Sequence, residues 1–182
     1  MPMLRVVTST LRYENPWMRV REDVFLRPDG TEGLYGVVEK RDFACIVPWD
    51  GTHLWLVEQY RLPVDAWSLE LPQGSWDPGQ AETSPEALAR MELREETGCE
   101  AGQMAHQGRL WQACGASTQS FDVWLATSLE AGEASPGIDE HGLRSVRMTP
   151  DEVDAAVDDG RIRDSASVAS LALVARRGGL SA

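Results

Sequence analysis

The chain has 182 residues, 42% of them hydrophobic, and a formal net charge of −12. That length and apolar share suit one domain, or one domain with a small appendage, able to bury its own core. The acidic balance argues against a nucleic-acid polymer as substrate, because phosphate backbones are gripped by lysine and arginine stripes that the chain lacks; a small phosphorylated compound, whose charge can be met locally, remains compatible.

The three cysteines, Cys45, Cys99 and Cys114, show no CxxC spacing. Buried thiols in a reducing compartment are therefore expected, rather than disulfides or a zinc framework. The opening residues MPMLRVVTST lack a basic region followed by an apolar core, and no stretch approaches the roughly 18 apolar residues of a membrane span. Neither a signal peptide nor a membrane segment is expected, and the cytoplasm is the expected location.

Alternating segments come first in the chain. Leu4 to Tyr13, Trp17 to Leu26 and Tyr35 to Val38 read as strands, with turns at Glu14-Asn15-Pro16 and Pro28-Asp29-Gly30. Ala44 to Pro48 and His53 to Gln59 read as a hairpin around Asp50-Gly51. Trp67 to Leu71 is strand-like and leads through Pro72-Gln73-Gly74 and Asp77-Pro78-Gly79 into a helix. Ser84 or Thr83 caps that helix, Pro85 suits its first turn, and Glu86 completes a capping box if Thr83 is the cap. Gly98 follows the periodic residues as a left-handed C-cap. Gly108 to Ala113 and Phe121 to Ala126 look like two more strands. Thr149-Pro150-Asp151-Glu152 opens a helix that stops near Gly160, and Asp164 or Ser165 caps another running to Arg176. Strands, a helix, more strands and terminal helices predict a mixed sheet between helices.

Residues 69–99 are the most informative stretch. Glu92 lies one helical turn from both Glu95 and Glu96, so like-charge pairs each cost about a few tenths of a kcal/mol if nothing neutralises them. A solvated acidic helix face would carry the same residues. A hard divalent cation would turn the repulsion into binding, because Mg²⁺ prefers carboxylate oxygens, water and substrate phosphates.

Glu92-Leu93-Arg94-Glu95-Glu96-Thr97-Gly98-Cys99 resembles the second half of the Nudix hydrolase box without a gap. The first half departs from it. Gly74 stands six residues before Gln80 where a glutamate is usual, the spacer to the helix is about three residues longer, Met91 replaces the usual arginine, and Glu82 sits at the wrong spacing. In that family the arginine and the first glutamate are mainly braces. Both bracing charges are missing together here, and replacing both partners of an ion pair can be nearly neutral, whereas losing one strands the other. An intact metal site with altered bracing is therefore the expectation. Arg90 and Arg94 are the nearest cations, but each is rotated about 100° from Met91 around the helix.

Gln59-Tyr60-Arg61 before Glu70-Leu71-Pro72-Gln73-Gly74 is similar to the QYR and ELPAG signatures of ADP-ribose and nucleoside diphosphate sugar pyrophosphatases, and Gly160 to Ser167 is similar to their C-terminal pattern. Gln73 stands where alanine is usual, and Cys114-Gly115-Ala116-Ser117-Thr118-Gln119 replaces a proline-containing stretch. The resemblance implies an α/β class protein: a Nudix α/β/α sandwich with a mixed sheet over residues 41–182, preceded by an N-terminal antiparallel strand segment over residues 1–40 that serves dimerisation. It also implies metal-dependent cleavage of the diphosphate bridge of a small nucleotide-type substrate, such as ADP-ribose or a nucleotide sugar, giving a nucleoside monophosphate and a sugar phosphate. Mg²⁺ or Mn²⁺ would be held by Glu92, Glu96 and the main-chain carbonyl of Gln73, presented by the Gly74 turn, with Glu95 completing the set or lying just behind it.

Asp139 and Glu140 are the acidic candidates for a general base, against an ordinary solvated turn; Glu140 is the one carried into the site. Arg61 is a candidate phosphate or ribose contact, since a guanidinium fork matches phosphate oxygens. Glu70 is a candidate acceptor for an adenine or ribose. A structural ion pair between Arg61 and Glu70 is the alternative for both. Trp67 and Trp76 bracket the metal loop and are candidate stacking surfaces. Two other functions compete: a Nudix domain that has lost catalysis and senses a nucleotide, and a nucleoside triphosphate pyrophosphatase. The N-terminal strands resemble the segment through which the ADP-ribose enzymes form homodimers, so a homodimer is expected.

Overall fold

The computed structural model describes residues 3–135, 137 and 142–180. The N-terminal sheet is antiparallel, in the order β1 (Arg5–Glu14), β2 (Met18–Leu26) and β3 (Glu32–Lys40). Its turns are held by short polar side chains: Asn15 Oδ1 accepts the N–H groups of Trp17 and Met18 at 2.9 and 2.8 Å, and Asp29 accepts that of Thr31 at 3.0 Å.

The body follows as β4 (Phe43–Pro48), β5 (Leu54–Arg61), β6 (Ala66–Glu70), β7 (Gln73–Gly74), α1 (Pro85–Thr97), β8 (Cys99–Trp111), β9 (Ser120–Ala131), β10 (Arg144–Met148), α2 (Pro150–Asp158) and α3 (Ser165–Arg176). Its strands form two sheets, β7-β4-β9-β8 and β10-β5-β6. β4 and β9 run parallel and the remaining pairs antiparallel, which makes the first sheet mixed.

β4 explains why the body is a sandwich. Ala44 and Ile46 on one face pack with Leu88, Ala89 and Leu93 of α1. Cys45 and Val47 on the other pack with Val153 and Ala156 of α2 and with Leu171 and Val174 of α3. A strand buried on both faces reads as a continuous apolar run, and Phe43–Pro48 is one. The expected α/β/α layering and the antiparallel N-terminal sheet are both present.

Four details differ from the sequence expectation. The Asp50-Gly51 turn does not close a hairpin, because β4 already pairs with β7 on one edge and β9 on the other. β5 therefore leaves for the second sheet, joined to β4's end by a single bridge between Trp49 and Leu54. β10 was not expected, since only Val146 and Met148 alternate among arginines; it forms by pairing with β5. β8 and β9 extend beyond their predicted cores to Cys99 and Ala131, because their polar residues sit on solvated faces rather than in loops.

The fourth concerns Cys114, which is exposed while Cys45 and Cys99 are buried as expected. It lies in the β8–β9 connection, which docks β3 mainly through its main chain. The Val38 N–H donates to the Ala116 carbonyl at 2.8 Å, Thr118 N–H donates to the Val38 carbonyl at 3.1 Å, and the Tyr35 hydroxyl donates to the Gly115 carbonyl at 2.6 Å. Residues 114–119 thus attach the N-terminal sheet to the body.

Candidate functional site

The loop after β6 is pinned before any functional group is considered. The Pro72 carbonyl accepts the Ile46 N–H at 2.9 Å, and Gln73 and Gly74 add to the edge of β4 opposite Cys45 and Ala44. α1 starts at the Ser84 cap, whose hydroxyl accepts the Ala87 N–H at 3.1 Å. Glu86 pairs with Arg90 at 2.9 Å instead of closing a box on Thr83. The helix ends at Gly98, in the left-handed region at φ 74°, whose N–H returns to the Arg94 carbonyl at 2.9 Å.

This frame buries two of the three box glutamates. Glu92 is 6% exposed and Glu96 1%, whereas Glu95 is half-buried. A solvated acidic face would leave the first two in water, so that alternative is set aside for them. Glu96 Oε2 accepts the main-chain N–H of Gln73 at 3.0 Å. Gly74 lies against Glu92 so closely that a Cβ there would collide with the carboxylate. Among the described residues, no three histidine, cysteine or acidic side chains converge closely enough to enclose an ion by themselves. The donor set is of the kind Mg²⁺ uses, one or two carboxylates with the rest of the shell left to main chain, water and phosphate.

In front of the glutamates runs a polar network. Arg61 donates a fork to Glu70, Nε to Oε1 at 2.8 Å and Nη2 to Oε2 at 3.0 Å. Gln73 Nε2 donates to Glu70 Oε2 at 2.7 Å and to Asp164 Oδ2 at 3.0 Å. Asp164 caps α3 through the Ser167 N–H at 2.8 Å, and the Ser167 hydroxyl donates to it at 2.7 Å while accepting the Leu71 N–H at 2.8 Å. Burial pushes the Glu70 carboxyl above its ordinary pKa, and the Arg61 fork opposes that rise without cancelling it. Burial likewise works against the Arg61 charge, but its pairing with Glu70 outweighs this and raises its pKa.

An open cleft of about 1490 Å³ begins at this network. Arg61, Trp67, Glu70, Gln73, Gly74 and Asp164 line one part, and Lys40, Arg144, Arg147, Arg161 and Arg163 line others. Six of the chain's 17 basic residues therefore face one cleft of an acidic protein, against the acidic Glu58, Glu70, Glu152 and Asp164 of the same lining, a small cationic surplus available to an anion. Each arginine is held: Arg144 by Glu58, Arg147 by Asp50 at 2.5 Å, Arg161 by Asp159 at 2.9 Å, and Arg163 by the Gly160 carbonyl at 2.5 Å. Glu92 and Glu96 stand immediately behind Gly74 and Gln73 rather than on the wall itself.

Sequence reasoning missed Lys40, Arg144, Arg147, Arg161, Arg163 and Asp164 as cleft residues. Arg161, Arg163 and Asp164 sit inside the Gly160 to Ser167 segment, which was the available signal; Arg144 and Arg147 belong to the unexpected strand. Trp67 is 56% exposed on the cleft wall, edge-on to Tyr60 with ring centroids 6.1 Å apart. Trp76 instead packs half-buried against the α1 core. Asp139, Glu140 and His141 lie outside the described residues. Gly142, the next described residue, packs against Trp67.

Gln80 does not take the place of the missing brace. Its N–H and its side-chain oxygen both bond Asp77, at 3.0 Å each, within its own loop. Met91 packs against the α1 core, and Arg90 is committed to Glu86 and the Ala101 carbonyl. The lengthened loop is tied down by Arg41, which donates to the Trp76 and Asp77 carbonyls at 3.3 and 3.1 Å and pairs with Glu82 at 3.5 Å.

Comparison with known proteins agrees with these features. Residues 5–38 match the nucleoside diphosphate sugar hydrolase N-terminal domain, and residues 39–170 match the NUDIX domain. A methanol dehydrogenase activator from Bacillus methanolicus is 29% identical over 153 residues, covering 80% of this chain and 81% of the relative. A crystal structure of an ADP compounds hydrolase superposes with a TM-score of 0.81 at 22% identity, covering 97% of this chain and 94% of its own, a likeness of fold. No helix among the described residues is long and apolar enough to cross a membrane.

Proposed function

The chain belongs to the Nudix hydrolases, and from that premise we propose that it cleaves the diphosphate bridge of a nucleoside diphosphate linked to a sugar, such as ADP-ribose or a nucleotide sugar, releasing a nucleoside monophosphate and a sugar phosphate. The observation that carries this proposal is the pair of buried carboxylates, Glu92 and Glu96, set directly behind the Gln73–Gly74 loop at the head of an arginine-lined cleft.

Nudix hydrolases generally use divalent metal ions. Glu92, Glu96 and the main-chain oxygen of Gln73 would hold Mg²⁺ or Mn²⁺, with Glu95 beside them. Two buried carboxylates, one of them packed directly against the side-chain-free Gly74, fit such an ion. When bound, the ion neutralises diphosphate oxygens and makes a water acidic enough to supply hydroxide near neutral pH.

The chain's own residues do the remainder. Gly74 lets a phosphate oxygen approach the main chain. Arg61 lies beside Glu70 at the cleft head, where its remaining N–H groups orient a phosphate or ribose oxygen. Glu70, already paired, accepts from a base or ribose donor. Trp67 offers a face to the base. Glu140 is proposed as the proton acceptor for the attacking water.

A homodimer through the N-terminal sheet goes with this proposal. Val6, Leu11, Tyr13 and Leu34 are 54%, 46%, 51% and 61% exposed there, large apolar side chains that a second copy would cover. Sedimentation as a single 20.1 kDa species would count against it. The cytoplasm is the proposed location.

The test is product analysis after incubation with ADP-ribose, ADP-glucose, GDP-mannose and the nucleoside triphosphates, with Mg²⁺ and again with chelator. A nucleoside monophosphate and a sugar phosphate from a diphosphate-linked compound, lost with chelator, is the expected result. Triphosphate cleavage alone would overturn the substrate class, and no product from any compound would make the chain a ligand-binding domain.

A further inference from the structure

We propose that Gln73 is a positioning residue whose side-chain amide fixes the main chain bordering the divalent-ion site, a bracing role that Gln80 and Met91 do not fill; this rests on the functional reading above. Four consecutive residues carry the restraint. Glu70 is gripped by Arg61, the Leu71 N–H by the Ser167 hydroxyl, the Pro72 carbonyl by the Ile46 N–H, and the Gln73 N–H by Glu96. The Gln73 side chain then crosses to the α3 terminus through Asp164 while also holding Glu70.

The residue type is what makes this work. A glutamine amide has two N–H donors, and the two carboxylates take one each, so both acidic oxygens are satisfied by a neutral group. Glu70 Oε2 and Asp164 Oδ2 lie within 3.0 Å of the same nitrogen. Removing that nitrogen leaves Asp164 facing the Arg61-paired Glu70 across a short, half-buried gap with no donor between them, and unties the end of β6 from α3. The loosening would act on the segment whose next main-chain group, the Gln73 N–H, is bonded to Glu96. Alanine, usual at this position in the ADP-ribose branch, supplies no donor. In this chain the donor is supplied, and it meets both Glu70 and Asp164.

The experiment is a Mn²⁺ titration followed by electron paramagnetic resonance on the metal-free full chain, comparing wild type with Gln73→Met, which keeps the side chain's length but has no donor, and with Gln73→Ala. Both variants are expected to raise the Mn²⁺ dissociation constant about tenfold or more, the usual effect of losing a group that holds a ligand in place. Melting should shift by only a few degrees, and in turnover kcat should fall while KM stays within about twofold. Wild-type Mn²⁺ affinity in a folded Gln73→Met protein would overturn the proposal, whatever its melting temperature. Failure of both variants to fold would also overturn it, assigning Gln73 to stability. If wild type itself takes up no Mn²⁺ and releases no product, the functional reading falls first and this proposal with it.

Discussion

Gly74 and Gly98 close the two ends of the loop–helix unit, and a side chain would meet different neighbours at each. A Cβ at Gly74 would run into the carboxylate of Glu92, the far end of a side chain that can swing aside. A Cβ at Gly98 would come within 2.6 Å of the Gly132 carbonyl oxygen and 2.7 Å of the Ala134 nitrogen, both main chain, at a φ of +74° that L side chains resist. One end yields locally and the other cannot. The loop end is accordingly where chemistry is exposed to substitution, and the helix end is where the fold is.

The sharpest way to break this contrast is Glu96→Gln, which keeps the shape and removes the charge. Turnover should fall about 10³-fold, roughly 4 kcal/mol of transition-state stabilisation, with little change in melting temperature. Steady-state nucleotide release measures it, and retained turnover would remove Glu96 from the mechanism. Gly98→Ala should instead act on folding: a positive φ and a main-chain clash together cost about 3 kcal/mol, read as a lower denaturation midpoint in urea.

Gly74→Ala is the converse. Stability should change by less than about 1 kcal/mol, because only the Glu92 side chain must move, yet Mn²⁺ affinity should drop about tenfold as that carboxylate is displaced. Equal losses of stability at both glycines would erase the distinction.

Asp50 supplies a smaller effect outside the unit. Burial alone would raise its pKa, but the N–H groups of His53 and Thr52, the Thr52 hydroxyl and Arg147 outweigh this and hold it below its ordinary 3.8. A depressed folded pKa means that the unfolded chain binds the proton first as pH falls. The stabilisation is thus complete above about pH 4–5 and drains away through the more acidic range. Asp50→Asn should cost about 1 kcal/mol at neutral pH and flatten the acid limb of a pH–stability curve.

Much of this was legible in the sequence, for identifiable reasons. The caps offered at Thr83 or Ser84, at Thr149 and at Asp164 or Ser165, with the Gly98 stop, are local chemistry, and they fixed the three α-helices of the described residues nearly to the residue. The shared helix face of Glu92 and Glu96 followed from one helical turn, whereas their burial is set by the loop that lies over them. What stayed hidden was settled at a distance. β10 forms because β5 has a free edge, and the Asp50-Gly51 hairpin is refused because β4 has none. The cleft arginines come from β10 and from the connection between α2 and α3, and no spacing rule brings those together with Gln73. The Gln73 amide joins residues 91 positions apart, a pairing invisible without the fold.

Glu92 and Glu96 are proposed to receive a divalent ion at the Gln73–Gly74 loop. The most direct measurement is an anomalous difference map from a crystal of this protein soaked in Mn²⁺. A peak bounded by those two carboxylates and that loop is predicted. A map that is featureless there, while both carboxylates keep their present partners, would contradict the account.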